Sequence, residues 1–354
     1  MRLQEKKSNS GNLKEAVSGF NNPDLLVFIS NDEQFEGHVT ELEELFPGVP
    51  SIGTTGHFYD DKITEGGVGV VAFFDVKASS GVLTKVSTAP ITDIMEFKAN
   101  LQKVGPRAND TACINFSTGN DAVMLTTVDS ILKPAKVVLT GGTAFNGKVS
   151  VNGKVYEDAD AYAFVKNPGG VVKAYKENIY RAAEHPVNYI ASKTNHSDYY
   201  IGELNGIPAK KVYMDALGIS ESQIATQTFR NPFGKVTGDD ICIISIKEVK
   251  GNGICCYRQV NDSDVLTILE TGDFRQIARD TADQIKSDFR TIQGSFGVNC
   301  VFRYFFFNDN NFMDEYLRIM SQVNNFCGFV GNGEHCNSQF INQSMSCVVF
   351  GEGR

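Results

Sequence analysis

Three stretches of this 354-residue chain repeat one order of elements: a short strand ending in glycine, a turn-rich hairpin, and a returning apolar strand. They read FPGVPSIGTTGHFYDDKITEGGVGVVAFF, LKPAKVVLTGGTAFNGKVSVNGKVYEDADAYAFV and NNFCGFVGNGEHCNSQFINQSMSCVVF. Turn residues such as Asn146-Gly147 and Asn152-Gly153 mark the hairpins, and the strands after them alternate small and large apolar residues. This order predicts an α/β chain with internally repeated, mixed β-sheets flanked by helices, arranged in two halves.

Hydrophobic periodicity fills in the elements between the repeats. Helices are expected over 13–20, 33–45, 90–104, 121–132, 209–217, 273–289 and 311–322, with strands at 24–30, 67–75, 80–87, 112–118 and 136–142. VNCVFRYFFF, residues 298–307, reads as a strand with Val301, Arg303 and Phe305 on one face. Asn205-Gly206 is a turn signal, and Pro208 is pre-shaped for a first helical turn. The expected domains are therefore 21–205 and 206–350.

Charge and apolar runs exclude some classes of function. The 42 acidic against 33 basic residues leave a net charge of -9, which disfavours a phosphate backbone as partner. Apolar runs such as VGVVAFF at 68–74 are far shorter than the roughly 20 residues a bilayer requires, and MRLQEKKSNSGN has no apolar leader core. No nucleic acid, no membrane and a cytoplasmic location are expected. The eight cysteines contain no CxxC pair, and Cys113, Cys242 and Cys347 sit in strand-like apolar runs, as reduced structural thiols do.

The segment FVGNGEHCN, 329–337, places Glu334, His335 and Cys336 side by side. Adjacent residues on an extended chain point alternately, and no HxxxH or HExxH partner exists, so a closed metal site is not expected. Cys336 and Cys300 lack a placed base and an electropositive setting. A pocket reading fits better. Arg303 on a buried strand must be paired or hydrogen-bonded, as a structural ion pair or as a ligand anchor, and with Glu334 it would offer both signs to an amino acid. Gly53, Gly56, Gly142 and Gly333 let backbone amides approach a ligand, although none belongs to a GxxxxGK[ST] loop. No GxGxxG or GxSxG stands in a suitable context, so an enzyme is not expected.

Five of these segments, in order, resemble the FIST domains, sensory modules with an N-terminal and a C-terminal part. IGTTGH at 52–57 is similar to the family's first Gly-rich loop, with His57 where a Glu is usual. LTGGTAFNG, GELNGIPAKKVYMDALG, NCVFRYF and GFVGNGEH followed by INQSMSCVVF are similar to the later family segments. The resemblance covers about 21–350 and implies a small-molecule sensor, with amino acids proposed as ligands and haem for some members. Expected anchors are Thr54, Thr55, His57, Gly142, Thr143, Arg303, Asn332, Gly333 and Glu334, with Phe58, Phe145 and Phe329 as wall. No cofactor is expected; if haem were bound, His57 or His335 would be the first axial candidates. The chain stops near the end of the resembling region, so either output is expected through a separate protein such as a histidine kinase, cyclase or chemoreceptor, or the chain is a piece of a longer protein.

Overall fold

The computed structural model of the chain describes every residue except 239. Its mixed α/β body follows the repeat, resolved into three units. The first runs β1 (Arg2–Ser8), α1 (Leu13–Ala16), β2 (Leu25–Ser30), α2 (Phe35–Leu45), β3 (Ser51–Thr55), the hairpin β4 (His57–Tyr59) and β5 (Ile63–Thr64), and β6 (Val68–Phe74). The second runs β7 (Lys77–Thr84), α3 (Ile94–Val104), β8 (Thr111–Ser117), α4 (Asp121–Leu132), β9 (Val138–Thr143), the hairpin β10 (Val149–Val151) and β11 (Lys154–Tyr156), and β12 (Ala159–Lys166).

The third unit opens with β13 (Val171–Asn178) and is then interrupted by an insertion with its own sheet. That sheet comprises β14 (Tyr180–Ala182), β15 (Tyr189–Asn195), β16 (Tyr200–Leu204), β17 (Ile207–Pro208), β18 (Phe233–Thr237), β19 (Asp240–Ile244), β20 (Ile246–Lys250), β21 (Gly253–Cys256) and β22 (Val265–Thr271). Helices α5 (Ala209–Leu217) and α6 (Ile224–Gln227) accompany it. The unit resumes with α7 (Phe274–Asp288), β23 (Phe289–Cys300), α8 (Val301–Asp309), α9 (Met313–Met320), β24 (Phe326–Gly331), the hairpin β25 (Glu334–Cys336) and β26 (Gln339–Ile341), and β27 (Ser344–Gly353).

Each unit builds a sheet of the same order, and each gives its hairpin to the sheet of another. The sheets run β1-β6-β2-β3-β10-β11, β7-β12-β8-β9-β25-β26 and β13-β27-β23-β24-β4-β5. The central pairs β2/β3, β8/β9 and β23/β24 are parallel, as helical crossovers require, and the remaining pairs are antiparallel. The exchange closes on itself, so the three units form a ring. Matching registers make Ser30, Ser117 and Cys300 equivalent, and likewise Val149, Glu334 and His57.

Alternation along the strands explains the layers. Leu25, Val27 and Ile29 of β2 face a shared core with Ile114 and Phe116 of β8 and Phe296 and Val298 of β23. Leu26 and Phe28 face outward to α1 and α2, with Phe35, Val39 and Leu42. Strands buried on both faces are apolar throughout, which is why 25–29 reads as one continuous run. Helices α3 and α4 cover the second sheet in the same way, and α7, α8 and α9 the third.

The sequence reading needs three corrections. Strand 298–307 ends at Cys300, and Arg303 lies on α8. The aromatic run fits either period, but the helical one buries Arg303, Phe306 and Phe307 at i, i+3 and i+4 against the third core. The helix expected over 13–20 is the short α1. Strand β1 went unread because RLQEKKS is a charged edge strand.

Candidate functional site

The three glycine loops meet and bond to one another. Phe145 N donates to Thr55 O (3.1 Å), and Asn332 N donates to Thr143 O (3.0 Å). Asn332 Nδ2 donates to Ala144 O and Phe145 O, both at 3.1 Å. The approach demands glycine: a Cβ on Gly142 would lie 2.5 Å from Gly333 O, and one on Gly56 2.7 Å from Val330 O. The loops therefore pack together, and the open space lies to one side of them.

That space is a cavity of about 720 Å³. Its walls are the C-terminal ends of β8 and β23, Thr143 at the end of β9, the first turn of α4, and Asn332, Phe340 and Asn342 of the third unit. The insertion supplies the remaining wall through Tyr199, Ser245, Lys247, Tyr257, Arg258 and Gln259. Only some of the expected anchors are here. Thr143 and Asn332 line the cavity, Gly142 pairs with Glu334 in the β9/β25 ladder, and Gly333 O accepts from Thr143 N.

Thr54, Thr55 and His57 belong to the first unit's loop and are not among the lining residues. Thr54 and Thr55 are fully buried, and Thr55 Oγ1 accepts from Asn146 N (3.2 Å). The half-buried His57 ring stands 4.9 Å from Phe145 and 5.9 Å from Tyr304, centre to centre, with Nδ1 3.0 Å from Glu65 O.

Arg303 and Glu334 do not form the expected pair of opposite charges. Arg303 points into the third core, where it donates to Glu177 in an ion pair that solvent does not reach. Its guanidinium lies over Phe307 (4.6 Å) and Tyr316 (5.0 Å). Burial alone would lower its affinity for the proton, but Glu177 reverses this and keeps the charge. Arg303 is thus a structural cation rather than a ligand anchor. Glu334 is also wholly buried, accepting from Ser344 N (3.0 Å) and Ser344 Oγ (2.8 Å), with the Cys300 thiol beside it. Burial pushes its carboxyl up to about 8 against those hydrogen bonds, so near neutral pH it is mostly uncharged.

Behind the cavity wall runs a buried polar chain. His335 Nε2–H donates to Asp121 Oδ1 (3.0 Å), His335 Nδ1 lies 3.1 Å from Asn115 Oδ1, and Asn115 Nδ2 donates to Asp160 Oδ1 (2.7 Å). Burial would raise the Asp121 carboxyl, yet His335, with help from Ser117 and Thr143, holds it below the usual range. Burial drives the Cys300 thiol well above its ordinary range, and Glu334 adds to this, so the cavity's one cysteine is a thiol rather than a thiolate.

Sequence reasoning missed Asp121, Ser245, Lys247, Tyr257, Arg258 and Asn342. Asp121 had a signal, since Gly119-Asn120 is a turn opening a helix. The insertion's residues reach the cavity through tertiary packing and carry no motif.

A FIST N domain model matches residues 24–207 and a FIST C domain model matches 209–337. A search of curated proteins found no match. Among solved structures, a chorismatase crystal structure is similar at 10% identity, over 98% of this chain and 97% of that chain, with a TM-score of 0.34. Matched by both models over most of its length, the chain belongs to the FIST family of sensory domains found in signalling proteins.

Proposed function

We propose that this protein is a cytoplasmic, non-enzymatic sensor that binds a small polar molecule in the cavity and passes the change to a separate signalling protein. One observation carries the reading: residues that line the cavity carry buried polar atoms without partners. Ser245 Oγ and Asn342 Oδ1 both belong to lining residues, and neither makes a hydrogen bond. An unmet buried polar group costs about 1–3 kcal/mol, and a polar ligand would relieve it. Because body and insertion both line the cavity, a ligand there bridges them, which gives binding a route to a change in their packing.

Amino acids are the first class to test, from the family resemblance. The groups at the site support a binding role over catalysis: both His335 nitrogens are engaged, and burial keeps the Cys300 thiol protonated. For haem, His335 is fully buried with no nitrogen free, which leaves His57 as the axial candidate. A location in the cytoplasm is consistent with the described helices, none of which is long and apolar enough to cross a membrane.

The test is thermal unfolding of the full chain against a metabolite panel, with mass spectrometry of what co-purifies. A stabilising compound should raise Tm with concentration, and the shift should shrink in Ser245→Val. A panel that stabilises nothing, or a shift untouched by changes at Ser245 and Asn342, would sink the reading. So would turnover of any panel compound.

A further inference from the structure

The cavity's charges do not balance. Lys247 and Arg258 both line it. Among the described residues Lys247 forms no ion pair, and Arg258 meets no carboxylate, giving one N–H to Phe340 O (2.7 Å). The one acid among the described lining residues is Asp121, and it already accepts from His335. No side chain caps α4, a helix of 12 residues, and Asp121, Ala122 and Val123 of its first turn line the same space. Ser245, only 1% exposed and with its hydroxyl unpartnered, adds an independent donor.

We infer that the cavity is an anion site, whose ligand presents a carboxylate or phosphate to Lys247, Arg258, the first turn of α4 and Ser245, and lays an apolar body against Tyr257, Phe302 and Phe340. This rests on the cavity being the sensory site proposed above, and it names the chemical class that site takes. Cations, an uncapped helix start and a neutral hydroxyl donor are the elements that hold oxyanions elsewhere. The aromatic side chains suit an organic anion over a bare ion. The one acid among the described lining residues is already shared with His335, so an amino acid would bind chiefly through its carboxylate.

The test uses calorimetry on the full chain with matched probes: 3-phenylpropionate against 3-phenylpropanamide, L-phenylalanine against its amide, and phenyl phosphate against phenol. The carboxylate or phosphate member of each pair should bind and its amide or phenol partner should not, with the carboxylate and phosphate arms deciding between the two headgroups. Added salt should weaken binding. Lys247→Gln combined with Arg258→Gln should weaken it about tenfold or more, as loss of charged hydrogen bonds implies. Lys247 is exposed, so Lys247→Gln alone tests the assignment if the double variant folds poorly. Equal binding of an amide or phenol, or full affinity in both variants, overturns the anion assignment and leaves the sensory reading standing. If no anion of the set binds while a neutral metabolite stabilises the chain, the anion assignment is likewise overturned.

Discussion

The first and third units share one strand plan, yet they treat charge in opposite ways. The hairpin position paired to the second central strand is His57 in the first unit's hairpin and Glu334 in the third's. His57 is half-buried at an aromatic edge, whereas Glu334 is sealed behind the cavity with Arg303 and Glu177 nearby in the third core. The third unit also carries the insertion. It enters the third unit after β13 and lines the cavity formed by the second and third units. A repeated scaffold thus becomes asymmetric through one added sheet, and substitutions at matching places should have very unequal effects.

The largest effect is expected at Arg303. Arg303→Met leaves Glu177 buried without its cation, which should cost about 3–5 kcal/mol in denaturant unfolding. Pairing it with Glu177→Leu removes both charges and should restore much of that loss, since apolar replacement of a buried pair is often close to neutral. A single variant as stable as the parent would contradict the structural role, and a loss of ligand binding without a loss of stability would return Arg303 to the site.

Arg303 also shows how far the sequence could be read. The repeat, the mixed α/β class and most helices were legible, because apolar period and turn residues are local signals. The joining of glycine loops was legible too, as three similar stretches imply similar placement. The hairpin exchange was not, since nothing local says which sheet a hairpin joins. Arg303 was rightly marked as a buried charge needing a partner, but the partner, Glu177, lies 126 residues away on β13. Lys247 and Arg258 went unnoticed for the same reason: an unpaired surface-type residue gains meaning only once the cavity is formed beside it.

A middle-sized, pH-dependent effect is expected at Glu334. Its folded value of about 8 stands above the ordinary 4.5, so between these values folding takes up a proton. The stability associated with the protonated form is complete below 4.5 and is lost as pH rises through about 8. Glu334→Gln removes that titration. Relative to the parent, the variant should gain stability progressively from pH 5 to pH 8, by on the order of a few kcal/mol. Parallel stability curves for the two proteins would show that Glu334 is not buried in the state described.

The smallest effect belongs to His57, the first unit's counterpart. Its ring makes edge contacts with Phe145 and Tyr304 and one approach to a backbone oxygen, all at a half-buried position. Such contacts are worth roughly 0.5–1 kcal/mol, so His57→Gln should lower stability by that amount and His57→Phe by less. Neither change should alter ligand affinity, because His57 is not among the cavity's lining residues. The same variant tests the haem alternative. With haemin added, parent and His57→Gln should give the same spectrum if His57 is only an aromatic contact. An absorbance band that forms in the parent and is lost in His57→Gln would make His57 an axial ligand, and would mean that the first unit carries a site of its own.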